Sequence, residues 1–350
     1  MKYNKQIVGI IISVGIIIVV GYLVFGIVVK KDMNQLQTNT VKDESEDYYT
    51  KGTLSAWTTY WDMNDLQAEM NIAAGTVDQV ILFAAYFRGD DQLFLPDNVK
   101  EFGEINQERY PEIEYYISIV NDRLLEDGGS VLKEKALLER LYRNEATINQ
   151  HIQDILALTK SLNISGIEID YEGFRDDVTL WQKHLNFCTR LAKAADKQGL
   201  SVRVVLEPGI KFDILEFPQE LEYVVMAYNL YGTHSEPGPK ANISFINELI
   251  EKMRDLPEKK GIALATGGFN WTNQQDAVGV TQAEAERLAS KYNVNIKRDD
   301  ESYVNYFKYY DDMEQKHEVW FADQETLRMW IEIANKNGIQ DISIWRMEKK

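Results

Sequence analysis

Three carboxylates stand two residues apart in the stretch Ser165-Gly166-Ile167-Glu168-Ile169-Asp170-Tyr171-Glu172. Along an extended strand successive side chains project to opposite faces. Glu168, Asp170 and Glu172 therefore share one face, and Ile167, Ile169 and Tyr171 share the other. Acids on the inside of a central strand are costly to bury unless they are paired or protonated. Close carboxylates also compete for protons, so at least one pKa rises, as a general acid requires. Glu172 comes last and falls at the C-terminal mouth of the strand. The alternative is a solvent-facing strand of an antiparallel sheet with its acids outside. The flanking segments read as helices that would bury the strand, and they disfavour it.

The spacing also restricts the reaction. A retaining glycosidase that uses two carboxylates holds them about 5–5.5 Å apart across the scissile bond. Asp170 and Glu172 project from one side of one strand and do not flank a sugar from opposite faces. A substrate-assisted route fits better: one acid protonates the leaving oxygen, and the 2-acetamido oxygen of the substrate attacks the anomeric carbon. The second carboxylate then orients and stabilises the acetamido group.

The elements that must hold this row are β-branched, apolar runs alternating with helical patterns, the signature of βα units around a parallel sheet. Strands are expected at residues 54–61, 77–87, 115–120, 164–171, 201–207, 223–228, 261–266 and 341–345. Between them, a helix begins at Asn144, with Ile148, Ile152 and Ile155 at helical spacing. A second runs from Asp177 to Gln198 and stops at Gly199, a residue suited to a helix C-cap. Thr281-Gln282-Ala283-Glu284 opens with a capping-box pattern, and a further helix runs from Asp323 to Lys336. Eight strands with interleaved helices predict an α/β fold, the closed (β/α)8 TIM barrel. No Gly-x-Gly-x-x-Gly turn follows the first strand, which disfavours an open dinucleotide-binding sheet. The connection from Gly267 to Gln340 is too long for one helix, and residues 303–310 and 316–320 predict an extra hairpin inserted before the last strand.

The 350-residue chain divides before the barrel begins. The run from Ile7 to Val29 carries no charge. At about 1.5 Å per residue it is long enough to span a bilayer with some tilt. Lys2 and Lys5 precede it and favour a cytoplasmic N-terminus. Residues 1–6 are thus read as cytoplasmic, 7–29 as an uncleaved transmembrane signal anchor ahead of the alternative of a cleaved signal peptide, 30–52 as an acidic tether, and 53–350 as the glycoside hydrolase barrel domain outside the cytoplasm at the cell membrane. The formal net charge of −17 argues against nucleic-acid binding, which needs a basic footprint. It also means that any anionic substrate has to be held locally.

Tryptophans at strand ends suit a sugar, whose apolar face stacks on indole. Trp345 ends the last strand and is the foremost candidate. Trp57 and Trp271 stand equally between sugar contact and core packing, and Trp61 is read as core. Glu207, at the end of the fifth strand, either contacts sugar hydroxyls or caps a loop. Cys188, the only cysteine, is read as a buried helix residue. None of His151, His184, His234 and His317 stands at zinc-ligand spacing with another His or Cys, so no metal site and no cofactor are expected.

The row of acids resembles the Asp-Gly-x-Asp-x-Asp-x-Glu motif of the family 18 glycoside hydrolases, which include chitinases and endo-β-N-acetylglucosaminidases. The resemblance implies Glu172 as the acid and Asp170 as the orienting carboxylate, with Glu168 at the preceding acidic position. Met226-Ala227-Tyr228-Asn229 resembles the family's Met-x-Tyr-Asp segment, which implies that Tyr228 hydrogen-bonds the reacting acetamido group and that Met226 and Asn229 lie at the sugar. Trp345 resembles the eighth-strand tryptophan that floors the −1 sugar site. Phe307-Lys308-Tyr309-Tyr310 and residues 317–323 resemble the branch linked to bacterial spore and cell-wall peptidoglycan. Ser165, Glu168 and Asn229 depart from the family's aspartates, and residues 116–120 lack the chitinase Ser-x-Gly-Gly pattern. The implied function is retaining hydrolysis of β-1,4 bonds after N-acetylglucosamine in a cell-envelope polymer, peptidoglycan ahead of chitin. The competing readings are a lectin-like barrel that binds carbohydrate without cutting it and, third, an unrelated barrel enzyme or inhibitor-like protein of the envelope.

Overall fold

The computed structural model describes residues 52–63, 70, 76–125, 129–272 and 276–347, all within the unit Lys51–Lys350. The expected membrane span from Ile7 to Val29 and the tether up to residue 51 lie outside the described residues. Among those described, no helix is long and apolar enough to cross a membrane.

Eight parallel strands make the barrel: β1 (Leu54–Thr59), β2 (Gln79–Phe87), β3 (Glu114–Leu124), β4 (Gly166–Asp170), β5 (Ser201–Leu206), β6 (Glu222–Met226), β7 (Lys260–Ala265) and β8 (Asp341–Trp345). They pair in chain order, and β8 closes the ring against β1. Every predicted strand is present. Helices α1 (Asp97–Arg109), α2 (Lys135–Leu141), α3 (Glu145–Thr159), α4 (Val178–Ala195), α5 (Ile243–Lys252), α6 (Gln282–Lys291) and α7 (Gln324–Lys336) stand between them. Asn144, Asp177, Thr281 and Asp323 cap α3, α4, α6 and α7 by accepting from backbone N–H groups of the first turn. After α4 and a short 3-10 turn, Gly199 ends the segment at φ 73°, a left-handed conformation that costs glycine nothing.

The period-two pattern of β4 sorts as the alternation requires. Ile167, Ile169 and Tyr171 join Ile148, Ile152 and Ile155 of α3 and Leu180, Leu185 and Cys188 of α4 in the core between strands and helices. A separate core fills the barrel interior, built from Trp57, Ile81, Tyr116, Val205, Val224, Met226, Tyr228, Ala263 and Ala265, with Phe83 and Trp345 packed on it. Gly166 opens β4 because a side chain there would run into the Tyr116 ring and Ser201.

The insertion before α7 is larger than the predicted hairpin. The hairpin Asn305–Tyr310 and Lys316–Ala322 is present, but it is the centre of a five-stranded antiparallel sheet that also contains Gly267–Thr272, Asp276–Val280 and Lys297–Arg298. Helix α6 packs Ala285 and Ala289 against Phe307, Tyr309, Val319 and Phe321, so the insertion has its own small core. The chain passes from β7 into this sheet across a single residue, Thr266. The sequence reading ends a strand at residue 266 and assigns none to Gly267–Thr272, which the structure places in this second sheet.

Candidate active site

The three carboxylates occupy three levels of the barrel. Glu168 is deepest and fully buried. In the parallel register it lies beside Arg203 of β5, and neighbours in register point the same way. Its Oε2 accepts from Arg203 Nε at 2.8 Å and Nη2 at 2.5 Å, and its Oε1 accepts from Trp57 Nε1 at 2.7 Å. Arg203, also buried, donates to Ser55 Oγ at 3.2 Å. Oε2 of Glu168 is thus committed to an ion pair and Oε1 to an indole N–H, both inside the barrel.

Asp170 lies one level higher. It is 6% exposed, and its Oδ1 has no hydrogen-bond partner among the described residues. Burial, then the charges of Glu172 and Glu168, push its pKa well above the usual carboxylate range. Glu172 stands past the end of β4, at the mouth. Its main chain is clamped by Asn121 of β3: Glu172 N–H donates to Oδ1 and Nδ2 donates to Glu172 O, both at 2.9 Å. Its Oε2 pairs with Lys133 Nζ at 2.5 Å. Burial raises the Glu172 pKa, the Lys133 charge and hydrogen bond pull it back, and Glu207 and Asp122 push it up again; the net direction is upward. Glu207, at the end of β5, accepts from Gly173 N–H at 3.2 Å and so holds the turn after the acid.

Tyr228, two residues past β6, is 7% exposed. Burial raises its hydroxyl pKa, with the charges of Asp170, Glu172 and Glu168 adding to the rise, so the phenol stays protonated. Trp345 ends β8, half-buried, with its ring edge-on to Phe83 at 4.9 Å and to Trp57 at 5.8 Å. A non-proline cis peptide follows it. The mouth therefore combines a protonatable acid, a second carboxyl that resists ionisation, a phenol donor and an indole platform. A depression of about 670 Å³ opens beside Trp345 among Lys240, Phe269, Arg287 and Arg346. Another of about 730 Å³ opens beside Gly173, Arg175 and Glu207. A third, of about 800 Å³, lies among Asp91, Arg140 and Asp154. None of the three is lined by Glu168, Asp170 or Glu172, but the first two border the mouth through Trp345 and through Gly173 and Glu207, and we assign the cleft to them.

A family model described as glycosyl hydrolases family 18 matches residues 48–349. The chain belongs to family 18 of the glycosyl hydrolases. It is 27% identical to a cortical fragment-lytic enzyme of Bacillus cereus over 58% of this chain and 51% of that protein. A cortical fragment-lytic enzyme of Bacillus subtilis is 21% identical over 60% of this chain and 53% of the relative. The chain thus spans about half the length of these curated relatives. In three dimensions it is similar to the spore cortex-lytic enzyme SleL of Bacillus megaterium, with a TM-score of 0.70, 17% identity, and 85% and 70% of the two chains covered. It is also similar to a chitinase from Chromobacterium violaceum, with a TM-score of 0.72, 15% identity, and 86% and 95% covered.

This family 18 barrel brings Asp170, Glu172, Tyr228 and Trp345 to one mouth and keeps other candidates away from it. Trp57 is 1% exposed, and its indole N–H is spent on Glu168, so it supports the site from below and offers no face to a sugar. Trp271 is also 1% exposed. It lies in the inserted sheet and donates to Gly232 O and Ser235 O at 3.3 and 3.2 Å, tying the insertion to the loop after β6. Met226 packs within the barrel at 3% exposure, one level below Tyr228. Asn229 is exposed and has φ 67°, a left-handed conformation that asparagine tolerates better than most residues. Trp61 reverses the core reading: it is 51% exposed at the rim, near Phe83 and under the Arg346 guanidinium. Lys133, Asn121 and Arg203 were missed altogether. A charged residue inside a strand as apolar as 201–206 was the available signal for Arg203, since it needs an acid of its own.

Proposed function

We propose that this glycoside hydrolase cleaves the β-1,4 bond after N-acetylglucosamine in peptidoglycan by a substrate-assisted, retaining mechanism, from the outer side of the membrane that holds Ile7 to Val29. The observation that carries the reading is the joint placement of Glu172, Asp170 and Tyr228 around one mouth, with Asp170 enclosed. Glu172 gives its proton to the glycosidic oxygen as the bond to the anomeric carbon breaks. The acetamido oxygen closes on that carbon from the opposite face. Asp170 accepts a hydrogen bond from the acetamido N–H through its carboxyl oxygen and so orients the group, and the Tyr228 hydroxyl donates to the acetamido oxygen. Glu172, now a carboxylate, removes a proton from the water that reopens the ring with retention. Trp345 stacks beneath the reacting sugar.

Peptidoglycan is favoured over chitin by the cortex-lytic relatives and by the missing Ser-x-Gly-Gly pattern on β3. The two departures that spoke for a non-cutting lectin have local causes. Glu168 reaches Arg203, and Asn229 takes up a left-handed turn. The test is incubation of the full chain with purified peptidoglycan and chitooligosaccharides, with and without a thiazoline mimic of the cyclised sugar. Release of N-acetylglucosamine reducing ends from peptidoglycan, blocked by the thiazoline, is the expected outcome. Binding without release supports the lectin, and a glycosyl ester trapped on an enzyme carboxylate defeats the mechanism.

A further inference from the structure

The Lys133 side chain is set against Glu172 by a main chain with little freedom of its own. Lys133 N–H donates to Asp122 Oδ1 at 2.7 Å. Its φ is 52°, and its carbonyl lies so close to Gly173 that a side chain there would approach within 2.8 Å. The next residue, Glu134, is held by Arg123 at 2.5 Å and Arg140 at 3.3 Å. The peptide is fixed, yet the lysine side chain is 47% exposed and can swing. Glu172 is faced by Asp122 from β3, Asp170 from β4, Glu207 from the end of β5, and Lys133 from the turn before α2. Lys133 therefore puts a positive charge among acids, on a molecule whose net charge is −17.

An ammonium bound to the general acid is a poor arrangement for the reaction alone, because it favours the carboxylate that cannot donate. It makes sense if the substrate removes it. The oxygen that Glu172 protonates is O4 of the leaving sugar. In muramic acid the neighbouring O3 carries a lactyl ether ending in a carboxyl group. Glu172 lies one hydrogen bond from O4, and Lys133 Nζ one hydrogen bond beyond the carboxyl group, so the ammonium lies within about 8 Å of the leaving oxygen. Lactyl carboxylate and ammonium are then in reach of each other.

We propose that Lys133 is a specificity-determining residue that leaves Glu172 to bind a free lactyl carboxylate on the leaving sugar, so that the enzyme prefers muramic acid residues whose peptide has been removed. This rests on the peptidoglycan reading above. On transfer of Lys133, Glu172 loses its cation among three acids and takes one proton from solvent, which it then delivers to O4. The substrate thus charges the acid that cleaves it. The reaction that must supply such a substrate is hydrolysis of the amide joining the lactyl group to its peptide.

The experiment compares kcat/KM for the full chain on three probes: amidase-stripped N-acetylglucosamine–muramic acid strands, the same strands with lactyl carboxyls converted to methylamides, and chitohexaose. Wild type is expected to prefer the carboxylate strands over the methylamides by about tenfold or more, the scale of one hydrogen bond to a charged group. In Lys133→Met that ratio should fall to within about twofold, the scale left when a charged hydrogen bond is gone. The alkaline limb of kcat/KM on chitohexaose should also move to higher pH, because the free acid no longer has its cation. Lys133→Arg should keep most of the preference. An unchanged ratio in Lys133→Met, or an equal fall on both strands with no movement of the alkaline limb, overturns the proposal. If wild type cuts both strands equally, only this inference fails. If it cuts chitohexaose and neither strand, the peptidoglycan reading fails and takes this one with it.

Discussion

The reaction needs a proton at Glu172 and, at Asp170, a carboxyl that tolerates enclosure. Glu172→Gln keeps shape and removes the proton, so kcat should fall by about 10²–10⁴, the usual cost of losing a general acid, with sugar binding largely kept. Wild-type turnover in that variant removes Glu172 from the role. Asp170 carries a stability cost. Its unfolded carboxyl ionises near pH 4, about the ordinary aspartate value, while the folded one holds its proton to well above that. Stability therefore falls as pH rises from there through the raised folded pKa. Asp170→Asn should be less active but more stable at neutral pH, with Tm up by about 2–4 °C for each kcal/mol relieved, and the two proteins should converge near pH 4 in calorimetry. Arg203→Met leaves Glu168 buried without its cation and should cost about 3–5 kcal/mol in urea titrations. Asp170, Glu172, Tyr228 and Trp345 could all be read in the sequence because each sits at or just past a strand end, where alternation gives the face. Depth is what alternation does not give. Trp57 and Trp61 are four residues apart, and only the closed barrel shows that the first is sealed under Glu168 and the second is open at the rim. Lys133 could not be found that way either, since it meets Glu172 across 39 residues from a turn.

The elements were readable where their periodicity is local. All eight strands and the caps of α3, α4, α6 and α7 follow from patterns within a few residues. The inserted sheet was only half seen, because its hairpin has a local signal whereas the pairing of Gly267–Thr272 with Lys316–Ala322 is long-range. Gly268 there lies against the Trp320 carbonyl, a closeness no spacing rule reveals. The layer between β4 and its helices has a pH response of its own. His151 bonds the Tyr171 hydroxyl at 2.8 Å and His184 the Tyr142 hydroxyl at 3.0 Å. Burial lowers both imidazole pKa values to about 3. Unfolded histidines take up protons near pH 6.5, about their ordinary value, while these stay neutral. Stability is thus present above that pH and is lost as pH falls toward about 3. His184→Gln keeps a polar partner for Tyr142 without the titration. Its stability should fall less steeply between pH 6 and 4, by about one proton or roughly 1.4 kcal/mol per pH unit. Parallel slopes for the two proteins in urea titrations contradict the assignment.

Over the whole molecule, an acidic barrel has to keep hold of an uncharged or anionic polymer by local contacts at the mouth, and Trp345, Trp61 and Lys133 are placed to make them. Residues 1–52 carry no barrel pattern, so a chain beginning at Thr53 should be soluble and retain full kcat on soluble oligosaccharides. Aggregation or loss of activity, with the full chain active, shows the boundary to be wrong. The sequence assigned the chain to a barrel glycosidase because the chemistry is confined to one strand and a few strand ends. It left the cleft walls undetermined, because they come from the insertion, the loop after β6 and the turn holding Lys133, which meet only in the fold. The central claim is that bond cleavage passes through a cyclised intermediate on the face opposite Glu172, so the new reducing end keeps the β-configuration that direct attack by water would invert. The most direct measurement is proton NMR of the newly formed reducing end within the first turnovers on an N-acetylglucosamine oligosaccharide. The account predicts the β-anomer first, followed by slow mutarotation, and the α-anomer appearing first contradicts it.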